Sequence, residues 1–316
     1  MSINGWVILD KPLGLGSTQA VGAVKRCLRE AGLGKPKVGH GGTLDPLATG
    51  VLPIAIGEAT KLAGRMLDAT KTYAFTVRFG SETDTLDGEG AEVATSAVRP
   101  TAAAVAAVLA RFTGPIAQVP PAYSALKVAG QRAYDLARAG SAPELAPRQV
   151  TIHALTLFDP TPAHPEPVEG CAPPAAQPLD QLTLEATVSK GTYIRSLARD
   201  IALALGTVGH VTMLRRLRAG PFDIASAISL DNLNDHAKGA GFAQAIVPLE
   251  AALVDIPALA LTPDQALGLR QGRVLTGLPL ADGLWLARLG QVPVALVIAS
   301  DGAVRVERGF NLDVAE

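Results

Sequence analysis

An α+β fold that ends in a small β-rich module is what the sequence predicts, on three observations. Nearly half of the 316 residues are apolar and 18% are charged. That composition can bury a sizeable core and does not suit a disordered chain. Strand-like and helix-like segments both occur through the first 250 residues. A break near Ala251 to Pro257 then introduces a run of short strands, of the size of a small β-barrel-like module.

Trp6 to Leu9 is a short apolar strand that ends at Asp10-Lys11-Pro12. Ser17 is placed to cap a helix over Thr18 to Arg29, with Val21, Val24 and Leu28 on one face. A glycine-rich loop follows from Gly39 to Pro46, and Thr60 to Leu67 reads as helical. Tyr73 to Phe79 is rich in β-branched and aromatic residues and predicts a strand, followed by a polar turn over Gly80 to Gly90. Pro100 to Phe112 is an alanine-rich helix with proline near its start. Ala125 to Gly140 carries a second helical pattern inside a loop-like excursion. Asp159 to Pro178 is proline- and alanine-rich without apolar periodicity, and reads as an exposed, flexible insertion dispensable for chemistry. Leu182 to Val188 alternates as a strand, Thr192 to Leu205 is an amphipathic helix, and Val211 to Leu217 is a short basic strand. In the C-terminal module Thr262 caps a helix with Pro263 at its first position. Strands follow at Leu284 to Leu289, Val292 to Ile298 and Val304 to Arg308.

Cys27 and Cys171 are isolated, and the five histidines lack metal-ligand spacing. No disulfide framework and no metal site are expected. The N-terminus does not read as a signal peptide and no apolar run is long enough for a membrane helix. A cytoplasmic protein with no membrane association is the resulting expectation. The formal net charge is -1, so the charge sum does not mark a nucleic-acid binder; the distribution does more. Lys190, Arg195, Arg199, Arg215, Arg216 and Arg218 stand against Asp200 alone, and Lys25, Arg26, Arg29, Lys35 and Lys37 against Glu30 alone. Phosphate binding through such patches predicts affinity that falls steeply with salt.

The segment from Val38 to Leu62, VGHGGTLDPLATGVLPIAIGEATKL, is punctuated by glycine and proline. Its glycines permit unusual backbone angles and close approach of a ligand. Pro46 biases Asp45 away from the helical region, so the carboxylate projects from an extended turn. Two readings are open on these residues alone: a tight structural turn formed by Asp45, or a reactive carboxylate on a loop.

The stretch GH-x-GTLDP-x-A-x-G resembles the signature motif of the TruB family of pseudouridine synthases. Further segments resemble that family in the same order. They are Asp10-Lys-Pro-x-Gly14 with Ser17, Lys71-Thr-Tyr73, the stretch from Gly80 to Asp87, and Pro120-Pro-Ala-Tyr123-Ser-Ala-Leu-Lys127 with Gly130 and Tyr134. Ser189-Lys-Gly-Thr-Tyr193-Ile-Arg195-Ser-Leu-Ala-Arg199-Asp200 and His210-Val-Thr-Met-Leu-Arg-Arg216 complete the series. Gly16 stands where the family usually carries a hydroxyl residue.

The resemblance implies a central mixed, largely antiparallel sheet with flanking helices and a PUA-type C-terminal domain. It places a catalytic domain at 1–250, with a thumb-like insertion at about 118–150 that closes on RNA, and the PUA-type domain at 255–316. It implies isomerisation of a uridine in the T-loop of tRNA, position 55 in family terms, by base flipping, glycosidic cleavage and reattachment through C5. The T-arm stem-loop is the implied partner, and the enzyme is expected to act as a monomer. The isomerisation involves no redox change, so no cofactor is expected. Asp45 is the implied nucleophile, by the same logic as carboxylates in glycoside chemistry. Arg195 is its implied partner, holding the carboxylate anionic where RNA binding dries the pocket. Tyr73 is implied to stack on the extruded uracil. His40, Tyr193, Lys127, Tyr123, Arg199, Arg215 and Arg216 are the remaining candidates for RNA contact. Asp84 and Asp87 read as solvated turn carboxylates that bond backbone amides. Lys11, Lys61 and Lys71 read as surface lysines within reach of phosphates.

Two other classes share some of these features. A glycoside hydrolase would need a second carboxylate as general acid, for which no partner motif is present. An RNA-binding or tRNA-folding module would not need Asp45, Tyr73 and Arg195 together.

Overall fold

The computed structural model describes residues 3–124, 126–128, 130–140, 145–158, 177–239 and 241–312. Among these the chain folds as two compact units. The first comprises the residues up to Leu44, Val51–Leu67 and the residues from Gly220 on; the second comprises Asp45–Gly50 and Asp68–Ala219.

The second unit is built on a sheet whose central strand, Lys71–Phe79, lies between Gly209–Ala219 and Gln181–Val188. Arg148–Leu157 and Gly114–Gln118 extend it on one side, and all of these neighbours pair antiparallel. The opening of Ala48–Ile56 adds a parallel pairing, with Ala48 opposite Leu214 and Gly50 opposite Arg216. The sheet is therefore mixed and largely antiparallel, as expected.

Alternation along Lys71–Phe79 puts Phe75, Val77 and Phe79 on one face, all buried, with the half-buried Tyr73 packed beside them. The helix Ile194–Ala204 covers that face with Ile194, Leu197, Ala198, Ile201 and Ala202. This is the i, i+3, i+4, i+7, i+8 spacing of a one-sided apolar stripe. Each large side chain buried in this way contributes roughly 1.5–3 kcal/mol. The helix is thereby fixed on the sheet, and its second residue, Arg195, is fixed with it.

The first unit pairs the strand Gly5–Lys11 in parallel with Ile228–Ser229 and holds Val38–His40 antiparallel to the end of Ala48–Ile56. Its first helix, Ser17–Glu30, has Gly16 rather than Ser17 at the cap position. Ser17 is buried, and its hydroxyl is hydrogen-bonded to both the amide and the carbonyl of Leu44, at 2.8 Å each. The Gly16 amide is bonded by the Gln19 side chain instead, at 2.8 Å. Residues 258–309 form the expected β-rich module, a five-stranded sheet consistent with a PUA-like domain. Its helix Pro263–Arg270 starts as predicted. Thr262 accepts from the Gln265 amide and Gln265 reciprocates at the Thr262 amide.

Several elements differ from the sequence reading. Ala48–Ile56 is a strand, a stretch to which the sequence reading assigned no element. Gly50 sits at φ +98°, and a Cβ there would lie 2.2 Å from the Arg216 carbonyl oxygen, so close strand approach demands glycine. Thr60 to Leu67 is a 3-10 turn, Gly57–Leu62, running into the short helix Ala63–Asp68. The alanine-rich helix is capped by Thr101, whose hydroxyl accepts from the Ala104 amide; Pro100 precedes the cap. Among the described residues of the 125–140 stretch only Ala133–Arg138 is helical, following a tight pairing of Lys127–Val128 with Gln131–Arg132. The predicted insertion at 159–178 lies outside the described residues, apart from Gln177 and Pro178. No helix among the described residues is long and apolar enough to cross a membrane.

Candidate active site

The Asp45 turn closes with the Ala48 amide donating to the Asp45 carbonyl at 3.0 Å. This points the carboxylate toward the start of the Ile194–Ala204 helix. There Arg195, 8% exposed in its side chain, meets one Asp45 oxygen (Oδ2) at 2.9 Å and one Asp87 oxygen (Oδ2) at 3.1 Å. The same guanidinium donates to the carbonyls of Thr85 at 2.9 Å and Tyr123 at 3.0 Å. Each terminal nitrogen thus serves one carboxylate and one carbonyl. A planar guanidinium can satisfy four acceptors in one plane; a lysine ammonium cannot.

A cation at a helix N-terminus opposes the helix dipole. Two carboxylates offset that cost here, and they differ in exposure. The Asp87 side chain is 10% exposed and that of Asp45 is 44% exposed. Asp87 is locked by Thr85 Oγ1 at 2.6 Å and by the Glu89 amide at 3.0 Å. Asp45 Oδ1 has no hydrogen-bond partner among the described residues. The arrangement leaves one carboxylate oxygen free beside a buried, fully engaged cation. That suits a carboxylate that must attack or stabilise a carbon centre rather than hold a structure together.

Asp87 is the site residue that the sequence reading missed. It does bond a backbone amide as expected, but it is buried and not solvated. Its turn is built by Leu86 at φ 62°, by Thr83 donating to the Asp87 carbonyl at 2.6 Å, and by the Val211 amide donating to Leu86. Asp84 is more conventional, accepting from the Ala91 amide at 3.0 Å and from the Tyr123 hydroxyl at 3.2 Å.

Tyr123 ties the excursion at 118–140 to this cluster through its carbonyl, and its ring meets Tyr134 edge-on at 6.1 Å. Arg138 lies over the Tyr134 ring at 4.3 Å. Tyr193 precedes the Arg195 helix, and its amide donates to the Gln118 side chain at 2.8 Å. Burial pushes its phenol above the ordinary range; the Asp45 charge adds to this, while Arg148 and Arg195 oppose it. Tyr73 sits between Ala186 and Arg216 in register, on the sheet face that the Arg195 helix covers. Its hydroxyl makes no hydrogen bond among the described residues.

The remaining candidates divide. Lys127 is exposed. Arg199 is engaged by Asp200 at 2.8 Å and by the Val119 carbonyl at 3.2 Å. Arg215 reaches Thr49 Oγ1 at 3.4 Å. Arg216 is 1% exposed, which departs from the surface position that phosphate contact requires. His40 lies in the first unit, where its ring accepts from the Gly42 amide at 3.4 Å. Lys11 and Lys71 are buried rather than on the surface. Lys71 Nζ donates to the Ala69 carbonyl at 2.7 Å. Burial, followed by the like charge of Arg216, pulls it from 10.5 down to about 8. Lys61 bonds Glu58 and the Gly309 carbonyl. Among the described residues no three potential metal ligands cluster.

Residues 29–194 match the family model of the TruB family pseudouridylate synthase N-terminal domain. Residues 195–254 match that of the tRNA pseudouridylate synthase B C-terminal domain. The chain is 68% identical over 315 residues to the tRNA pseudouridine synthase B of Novosphingobium aromaticivorans, covering 99% of this chain and 100% of that one. It is 54% identical to the protein of the same name from Zymomonas mobilis, covering 98% and 97%. Among solved structures, a Cbf5-Nop10-Gar1 complex aligns with a TM-score of 0.70 at 26% identity, over 96% of this chain and 84% of that one. An H/ACA RNP bound to a substrate RNA containing 2′-deoxyuridine aligns with a TM-score of 0.69 at 25% identity, over 97% and 84%. On its motifs, its fold and these matches, the chain belongs to the TruB family of pseudouridine synthases.

Proposed function

We propose that this protein converts a uridine in the T-loop of tRNA, position 55 in family terms, to pseudouridine, with Asp45 as the nucleophilic carboxylate. The observation that carries the reading is the half-exposed Asp45 carboxylate, with one oxygen on a buried Arg195 and the other unbonded. The free oxygen attacks the ribose, or stabilises positive charge there, as the N1–C1′ bond breaks. Uracil then turns and C5 bonds C1′, which expels the Asp45 carboxylate where it had bonded the sugar; the C5 proton leaves to solvent or a nearby base and N1 takes up a proton, so the carboxylate is regenerated and the product is an isomer of the substrate. Arg195 keeps Asp45 oriented as bound RNA excludes water.

Asp87 is a positioning residue. It supplies the second negative charge that a buried guanidinium needs, so Arg195 stays in place when Asp45 engages the sugar. Tyr73 offers an aromatic face to the extruded base, a contact of about 1–3 kcal/mol in other base-stacking sites. Tyr193, Tyr123, Lys127, Arg199 and Arg215 are proposed to contact the RNA around the cleft, and His40 to act from the first unit. For residues 255–316 we propose a PUA-type RNA-binding role, and for the enzyme action as a monomer in the cytoplasm. Asp87 is committed to Arg195 and two further donors. That leaves it poorly suited as the proton-donating acid of a glycoside hydrolase.

The test is pseudouridine mapping on unmodified tRNA transcript and on an isolated T-arm stem-loop. Modification of one T-loop uridine in both supports the reading. Modification elsewhere, or none, contradicts it.

A further inference from the structure

Charge on this chain is not where the residue count suggests. Of the cations between 190 and 218, Lys190 is paired with Asp68, Arg195 with Asp45 and Asp87, and Arg199 with Asp200; Arg216 is buried. The cations between 25 and 37 behave differently. Lys25, Arg26, Arg29, Lys35 and Lys37 are all exposed. None of them forms an ion pair among the described residues, and Arg29 bonds only the Lys25 carbonyl.

They lie on the C-terminal half of the Ser17–Glu30 helix and on the loop that follows it. Lys25, Arg29 and Lys35 line a concavity of about 500 Å³ above the buried Leu28. Gly22 and Gly34 also line it, and a Cβ on either would meet nothing within 4 Å. The backbone there is open to close approach, and Gly34, at φ +76°, holds a turn that favours glycine.

We propose that this surface binds the phosphate backbone of a stretch of the substrate RNA separate from the target nucleotide. The proposal rests on the RNA-modifying function above. Cations spread along a helix and loop, with a single opposing acid, suit a polyanion. Such a surface raises affinity and the rate of encounter without touching the chemical step.

The test compares wild type with Lys25→Gln/Arg29→Gln/Lys35→Gln on full-length tRNA transcript, measuring Kd across a salt series and turnover at saturating RNA. Each cation withdrawn from a phosphate should flatten the slope of log Kd against log salt by about 0.7–0.9, so a flattening of about 2–3 is expected for the triple variant. At low salt, affinity should fall by about tenfold or more, with turnover at saturation unchanged. A cation that only stabilises the helix end would lower the melting temperature and leave the slope alone. Should the triple variant fold poorly, Lys35→Glu in the loop carries the same test, with a larger effect per site. An unchanged slope and affinity in a folded variant would overturn the proposal. A wild type that binds the transcript with a steep salt slope yet forms no pseudouridine at saturating RNA would count instead against the catalytic reading.

Discussion

The cationic stretches at 190–218 and 25–37 use their charge in opposite ways. In the first, Arg195 and Arg216 are drawn inward. Arg195 is engaged by two carboxylates and two carbonyls, and Arg216 is buried on a strand in the sheet. In the second, every cation faces outward and none is paired among the described residues. The difference teaches that a run of positive charge points most directly to an RNA surface where its cations face outward and no carboxylate is folded against them. Inside the protein the same residue type is compensated by carboxylates and carbonyls, because an unpaired buried charge is too costly to persist. Charge changes inside should therefore damage chemistry and stability together, and changes outside should affect affinity alone.

The largest break in this contrast comes from Arg195→Met. Removing one partner of a buried ion-pair cluster leaves Asp87 uncompensated and should cost about 3–5 kcal/mol of stability. Turnover should fall by about 10²–10³-fold or more, the scale of losing one preorganised charge-stabilising group. Chemical denaturation and single-turnover assays check both, and near-normal turnover would remove Arg195 from the mechanism. Asp87→Asn keeps the shape and an acceptor oxygen but loses the charge. A smaller loss is expected, about 10–100-fold in turnover with tRNA affinity retained, corresponding to about 1–3 kcal/mol. An unchanged rate would reduce Asp87 to a turn residue.

Tyr73 separates stacking from hydroxyl chemistry. Tyr73→Phe should keep base stacking, whereas Tyr73→Leu should lose about 1–3 kcal/mol, read as a lower rate at saturating RNA. Equal activity of Tyr73→Leu and wild type would exclude a stacking role. The smallest effect concerns Lys71, held near 8 by burial and by Arg216. Between about 8 and 10.5 the unfolded chain binds a proton that the folded chain does not, so folding stability should rise with pH there. The wild type should gain on Lys71→Met across that window by roughly 1 kcal/mol per pH unit at most. A flat difference would show that Lys71 remains charged in the folded protein.

The Asp45–Arg195 pair was legible because both residues lie in long motifs and a reactive carboxylate needs a cation. Asp87 was not, since its burial depends on Val211 pairing from a strand more than a hundred residues away and on the left-handed Leu86. A polar turn gives no local sign of such cover. The strand Ala48–Ile56 went unassigned, since Gly50 and Pro53 interrupt its apolar run, although the glycine is what allows the Arg216 backbone to approach. The Thr262 cap and the Tyr73 strand were legible because their signals are local: a hydroxyl before proline, and alternating aromatic and β-branched residues. Ser17 misled because its hydroxyl is taken by Leu44, 27 residues on.

The most direct measurement is the single-turnover rate of Asp45→Asn on full-length tRNA transcript, with affinity measured on the same protein. The substitution keeps size and hydrogen bonding to Arg195 while removing the nucleophilic charge. Pseudouridine formation should vanish while tRNA affinity stays within a few-fold of wild type. Pseudouridine accumulating at a rate comparable to wild type would contradict the assignment of Asp45 as the nucleophile.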